Sequence, residues 1–437
     1  MGPSPRNRFI VLGRVSDEIA SAVMSEYAGY SELKIDEPTN VIQSFIGTFP
    51  DGEPRAELFL RGQNDKFPVE QNLSEAAKKE LVQQMAGAHV TIIHSISGDN
   101  ATGRQIGLLG MLDYLKSDLD VGSITVIAPY MPMRNDKLFK KPVLDPSTGE
   151  MIDAPQYNAV LTRNLAKMMR ANGADRVIGF TPHSNDGINH FKNYFDTDTK
   201  MKPSVRFPDA IKFMAARFSE EHNPIKRASG DWRIAVGAPD GLNKPRDRAI
   251  RSARNFGKIL YEGTEHAEVK STDDLRDIPW MFGIHKERTS PTETEIIDFH
   301  GDVKKRPSAV VDDMYSSGGT TIQGATQLKD QGASEVFALA THGVLTNGAL
   351  GRLLSSDAID QLWVTDSIPA VAEKIAEGGF EDHEKLRYVS LAPMVLEQIE
   401  WDLANMPRGA MRKTILPYEM VANDTDEGGT SPEAVAN

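Results

Sequence analysis

Asp312 and Asp313 stand side by side at the end of a short apolar run, and Ser316, Ser317, Gly318, Gly319 and Thr320 follow directly after. Two neighbouring carboxylates can accept hydrogen bonds from vicinal ribose hydroxyls or bind Mg²⁺. A Ser/Gly/Thr turn that opens a helix offers backbone N–H groups, hydroxyls and a positive helix end to a phosphate. The run Ala309 to Val311 reads as a strand that brings both acids to the carboxyl edge of a sheet, where open α/β folds bind ligands. Together these residues describe a site for a phosphorylated ribose. No Gly-Lys-Ser/Thr follows, which separates the string from a Walker loop. A strand-to-helix turn capped by Ser or Thr with no ligand has the same residue types.

The elements that must position such a site alternate along the chain. Apolar runs beginning at Arg8, Ala88, Ile124, Arg176, Arg233, Ala309 and Glu335 read as buried strands. Ser16 to Tyr27, Gly103 to Lys116, Tyr157 to Ala171 and Thr320 to Asp330 carry apolar residues at helical spacing. This alternation predicts βαβ units and parallel sheets covered by helices on both faces. That many strands over 437 residues implies two α/β domains, with a boundary near residues 140–156, where the stretch Lys140 to Glu150 reads as an exposed polar loop. Residues 196–230 and 258–280 read as charged insertions, and the acidic end of the chain as a disordered tail.

Composition narrows the ligand class. A net charge of −13 disfavours nonspecific attraction to nucleic acid, so a polyanionic ligand must be met by a local cluster of cations and backbone donors. With no cysteine, disulfides and thiolate metal sites are excluded, and His, Asp and Glu remain as the strong metal ligands. No apolar run has the length of a membrane helix, and Met1 to Arg6 lacks the apolar core of a secretion signal. A cytoplasmic enzyme of small phosphorylated metabolites is the expectation, with neither a membrane nor nucleic acid as partner.

Further motifs lie in order around the ribose-phosphate string: Phe49-Pro-Asp-Gly-Glu53, Pro129-Tyr-Met-Pro-Met-Arg-Asn-Asp-Lys137, Thr181-Pro-His-Ser184, Ala238-Pro-Asp-Gly241 and Gly283-Ile-His-Lys-Glu-Arg288. With Ala340-Thr-His-Gly343 and Val364-Thr-Asp-Ser-Ile-Pro369 they resemble, over roughly residues 8–405, the ribose-phosphate pyrophosphokinases, or phosphoribosyl-pyrophosphate (PRPP) synthetases. The resemblance implies two doubly wound parallel-sheet domains of the type I phosphoribosyltransferase-like α/β fold. The expected units are an ATP-side domain over residues 1–150, a second domain over 151–385, a C-terminal helix within 386–420 packing back on the first domain, and a tail over 421–437.

The resemblance also implies roles. Lys286 and Arg288 match a mobile catalytic loop that engages the pyrophosphoryl group. Phe49, Asp51, Glu53, Arg134 and Asn135 match positions that hold ATP. Asp312, Asp313, Ser316, Ser317, Gly318, Gly319 and Thr320 would hold the ribose phosphate, and His183 and Asp240 would be ligands of Mg²⁺. The implied reaction moves the β,γ-pyrophosphoryl group of ATP to the anomeric hydroxyl of ribose 5-phosphate, in a homo-oligomer, dimer or hexamer.

Three departures accompany these matches. Ser316 and Ser317 stand where the family usually has Asp and Thr, Asn135 replaces Gln, and Thr181-Pro182 replaces an acidic residue before the histidine. One negative charge fewer beside the phosphate suits a larger ribosyl phosphate such as ADP-ribose as an alternative acceptor. A non-catalytic regulatory relative is the other alternative, although Lys286, Arg288, His183 and Asp240 are all present. A phosphoribosyltransferase would not need the ATP-like motifs at Phe49 and Arg134.

Overall fold

The structure is a computed structural model and describes residues 8–27, 40–49, 51, 53–59, 79, 82–98, 100–136, 140–144, 151–155, 159–196, 201–222, 234–239, 248–262, 278, 280–288 and 294–405. In chain order the first half contains β1 (Arg8–Leu12), α1 (Asp17–Tyr27), β2 (Asn40–Thr48), β3 (Pro54–Phe59), β4 (His89–Ile93), α2 (Ala101–Asp113) and β5 (Ser123–Ala128). The hairpin β6 (Lys140–Leu144) and β7 (Met151–Pro155) follows, then α3 (Leu161–Ala171), β8 (Arg176–Gly179), α4 (Asn185–Phe195) and β9 (Val205–Arg206). The second half runs α5 (Ala210–His222), β10 (Ala235–Gly237), α6 (Arg248–Leu260), β11 (Met281–Arg288), β12 (Thr294–His300), β13 (Pro307–Tyr315), α7 (Gly319–Asp330) and β14 (Glu335–Gly343). It closes with α8 (Ala349–Leu354), β15 (Gln361–Thr365), α9 (Ala370–Gly378), β16 (Leu386–Val389) and α10 (Ala392–Ala404).

Two seven-stranded sheets carry these elements. Their orders are β3-β2-β1-β4-β5-β8-β9 and β12-β11-β10-β13-β14-β15-β16. Within these two sheets the pairings among the described residues are parallel except the edge hairpins β2–β3 and β11–β12, while β6 and β7 form a separate antiparallel pair. Parallel strands covered on both faces need apolar side chains on both, which is why they read as unbroken hydrophobic runs. In β1, Phe9 and Val11 enter one core and Ile10 and Leu12 the other. In β13, Val310 faces one core of the second sheet while Ala309 and Val311 face its opposite one.

The stretch expected to separate the domains holds the β6–β7 hairpin instead. Beyond it, β8 and β9 pair parallel with β5 and with each other, so the chain leaves the first sheet only after Arg206. The polar Lys140 to Glu150 segment looked like a linker because a hairpin standing outside both sheets has no core-facing run to reveal it. Within the supposed insertion at 196–230, α5 packs Ile211, Met214 and Phe218 into a core of the second sheet. That core is tight at α6, where a methyl group on Gly257 would run into the Trp280 ring. Gly257→Ala is expected to destabilise the protein by about 1–3 kcal/mol through overpacking, read as a lower denaturant midpoint.

The chain end returns to the first sheet. Leu391, Met394, Val395 and Ile399 of α10 and its approach pack with Ile10, Leu12, Ile93, Ile127 and Ile178. Beneath α10 lies a wholly buried polar network. Asp402 accepts from Thr91 and Thr125 hydroxyls, both at 2.7 Å, and pairs with His89 Nε2 at 2.9 Å and with the Arg176 guanidinium. Residues 421–437 lie outside the described residues.

Candidate active site

Towards its carboxyl end β13 carries Asp312, half-buried, and Asp313, almost wholly buried. The Asp313 backbone N–H donates to Asp312 Oδ1 at 2.8 Å, which fixes the first carboxylate against the strand. The second carboxylate reaches across to the other half of the molecule: Asp313 Oδ2 lies 2.7 Å from His183 Nδ1. A carboxylate accepts, so Nδ1 carries a proton, and in the neutral ring the lone pair then lies on Nε2. Histidines that bind metals commonly present this arrangement, one ring nitrogen held by a carboxylate and the other presented to the ion.

His183 follows β8 in a turn of unusual backbone. Thr181 has φ +39°, a conformation that costs energy for a β-branched residue and is held in place from several sides. Its N–H donates to the Pro208 carbonyl, and its hydroxyl oxygen accepts from Ala210 N–H at 2.9 Å and from the Thr341 hydroxyl at 3.2 Å. His342, at the end of β14, points Nε2 at the carbonyls of Phe180 and Thr181, 3.2 Å from each. Burial holds His342 below its usual pKa. His342 Nδ1 lies 3.0 Å from the Ser367 hydroxyl, which itself donates to the Thr341 carbonyl at 3.1 Å. The edge of the first sheet is thereby pinned to the edge of the second at the point where His183 meets Asp313.

The Pro129–Lys137 motif leaves β5 beside them. Asp136 is buried and accepts from the Ser184 hydroxyl, while its carbonyl lies 2.7 Å from His190 Nε2. Asn135 contributes its carbonyl to Thr162 N–H at 3.0 Å, and the Arg134 side chain is exposed. Tyr130 packs edge-on to His342 with centroids 5.0 Å apart. Burial raises the Tyr130 hydroxyl pKa, Arg134 works against the rise, and Asp313 adds to it. Residues at or just beyond the carboxyl ends of β5, β8, β13 and β14 thus share one electrostatic neighbourhood.

The remaining candidates stand elsewhere. Phe49, Asp51 and Glu53 form the turn between β2 and β3, closed by Phe49 N–H to Glu53 O at 2.8 Å and Glu53 N–H to Asp51 Oδ1 at 3.1 Å. Phe49 is 41% exposed, and the Arg55 guanidinium sits 5.0 Å from its ring and 5.5 Å from Phe45. Among the described residues no hydrogen bond or ring contact joins this turn to the Asp313 cluster. Lys286 and Arg288, expected on a loop, continue β11 in an antiparallel hairpin opposite Ile296 and Thr294, with a bulge before Lys286. Their side chains, and Asp240 altogether, lie outside the described residues. In the phosphate turn, Ser316 is half-buried, while Ser317, Gly319 and Thr320 are exposed. Gly318 caps α7 at φ +79° with no side chain bonded across the helix end.

Sequence reasoning missed His342, Asp136 and Ser184, which support rather than face a ligand. Ser184 was findable, since Ser is a favoured N-cap residue before a helical segment, and its hydroxyl accepts from Gly187 N–H at 2.9 Å.

Comparison with known proteins gives the family and the fold. A family model described as the phosphoribosyl synthetase-associated domain matches residues 265–401. The ribose-phosphate pyrophosphokinase of Pyrococcus abyssi is 44% identical over 361 residues, covering 81% of this chain and 94% of the relative. That of Haemophilus influenzae is 29% identical over 325 residues, covering 73% of this chain and 82% of the relative. The crystal structure of phosphoribosylpyrophosphate synthetase from Mycobacterium smegmatis superposes with a TM-score of 0.61 at 21% identity, covering 91% of this chain and 99% of that one.

Proposed function

The chain belongs to the ribose-phosphate pyrophosphokinase family, and from that premise we propose that it transfers the β,γ-pyrophosphoryl group of ATP to the anomeric hydroxyl of ribose 5-phosphate, giving PRPP and AMP. The observation that carries the reading is the His183–Asp313 bond, which joins the histidine turn of one sheet to the ribose-phosphate strand of the other. Asp312 and Asp313 orient the ribose hydroxyls, and the turn from Ser316 to Thr320 takes the 5-phosphate. Arg134 and Asn135 hold ATP beside them, and the Phe49 turn supplies further ATP contacts from the sheet edge. Lys286 and Arg288 engage the pyrophosphoryl group in transit. Phosphoryl transfer asks the protein mainly for positioning and charge stabilisation, which two hairpins and two sheet edges are built to supply.

The donor set fits Mg²⁺ arriving with the nucleotide. Mg²⁺ is usually held by one or two carboxylates together with substrate phosphates. His183 and Asp240 would be its protein ligands, and Asp312 could add a carboxylate beside them. The ion would neutralise charge on the phosphate oxygens; the residues orient both substrates and exclude water. Homo-oligomerisation belongs to the same reading.

The test is AMP release from ATP and Mg²⁺ with ribose 5-phosphate and ADP-ribose offered in parallel and the products weighed by mass spectrometry. Pyrophosphorylated ribose 5-phosphate is the expected product. Product from ADP-ribose alone would assign the Ser316/Ser317 change to a different acceptor, and no AMP from either sugar would sink the catalytic reading.

A further inference from the structure

The turn proposed to hold the 5-phosphate contains no cation of its own between Ser316 and Thr320. Its shape is imposed by the segment that follows β14. Three successive carbonyls of the turn are taken by that segment. Tyr315 O accepts from Leu345 N–H at 2.9 Å, Ser316 O from Thr346 N–H at 3.0 Å, and Ser317 O from Arg352 Nη2 at 3.0 Å. In a planar trans peptide the carbonyl and the next N–H point in opposite directions. Capturing these carbonyls on one side therefore turns the N–H groups of Ser316, Ser317 and Gly318 to the other side, towards the mouth of α7. Among the described residues no acceptor takes the N–H of Ser317 or Gly318. Successive N–H groups converging at a helix N-terminus form an anion-binding concavity.

The bracing segment is itself under strain. Leu345 and Asn347 have φ of +49° and +51°, and Gly348 of +70°. Leu345 is buried, so it is not a free surface turn. Arg352, on α8, ties both ends of the arrangement: one guanidinium nitrogen donates to Ser317 O and the other to Asn347 O. The next residue, Leu353, would lie 2.9 Å from a Cβ placed on Gly318, so α8 sits directly against the turn.

We propose that Arg352 is a positioning residue of the sugar-phosphate site: by holding the Ser317 and Asn347 carbonyls it turns the backbone N–H groups of the Ser316–Gly318 turn towards the phosphate and adds a nearby positive charge. The proposal rests on the function proposed above. Its test is steady-state kinetics on full-length R352A and R352K, varying ribose 5-phosphate at saturating ATP and then the reverse. R352A is expected to raise the KM for ribose 5-phosphate about tenfold, the scale of one lost charge-assisted hydrogen bond, with a smaller effect on kcat. The KM for ATP and the unfolding temperature should stay at wild-type values. R352K, which keeps the charge but lacks the fork that spans two carbonyls, should fall between. An unchanged KM for ribose 5-phosphate, or an equal rise in both KM values, overturns the proposal.

Calorimetric titration of ribose 5-phosphate without ATP separates this claim from the catalytic one. Weaker binding by R352A than by wild type supports the brace even if no AMP is ever released. Equal binding, or no binding by the wild type, overturns it.

Discussion

Asp313→Asn is expected to lower kcat/KM for AMP release by about 10²–10³-fold, the scale seen when one preorganised electrostatic partner is removed from an active site. The change keeps the shape of the side chain and removes its charge. Three groups from other elements register that charge: His183 across the domain junction, Tyr130, whose hydroxyl pKa it raises beyond the effect of burial, and His342, where it opposes the lowering by burial. Loss of the carboxylate also weakens the bond that fixes the His183 tautomer, so Nε2 is no longer reliably the nitrogen with the lone pair. His183→Ala should therefore cost a similar factor, and the double variant little more than either alone, because groups acting as a unit are not additive. Rates for the two single variants within about threefold of wild type would remove His183 and Asp313 from the catalytic cluster.

The second large effect concerns stability. Asp402→Ala should destabilise the protein by about 3–5 kcal/mol, since it leaves the Arg176 guanidinium charged and buried without its partner. Asp402 and Arg176 are both wholly buried, and Arg176 additionally donates to Pro203 O and Asn405 O and stacks on Trp401. Burial alone would raise the Asp402 pKa, but His89, Arg176 and Thr91 outweigh it and hold the group at about 2 rather than the ordinary 3.8. A folded-state pKa below the unfolded one means that this contribution is complete above about pH 4 and is lost as pH falls through about 2. Denaturant unfolding at pH 7 and pH 3 measures both statements. A paired Arg176→Met, Asp402→Leu change should cost much less than the single variant, because no charge is then stranded. An Asp402→Ala protein as stable as wild type would show that α10 is held by its apolar face alone.

Much of this was legible in the chain, and the reasons differ by residue. Central strands such as β4, β5, β13 and β14 announce themselves because both faces are buried. The edge hairpins do not, since charged residues such as Lys286 and Glu287 interrupt the apolar run and read as loop. The membership of β8 and β9 in the first sheet was hidden because strand pairing partners are set by topology and not by local pattern. At the site, the acids and the glycines were readable because few residue types can do their work. His342 and Arg352 were not, since a buried histidine and an exposed arginine look ordinary until the carbonyls they hold are seen.

The return of α10 to the first sheet also sets a schedule. The face made by Ile10, Leu12, Ile93, Ile127 and Ile178 is complete in the nascent chain by the end of β9, but its cover includes Leu391 to Ile399. At synthesis rates of about 5–20 residues per second, the stretch between Arg206 and Leu391 takes on the order of 10–40 s to emerge. For that interval the first sheet carries a partly open apolar surface on the ribosome, so the early half of this chain is the part with most need of a chaperone's protection.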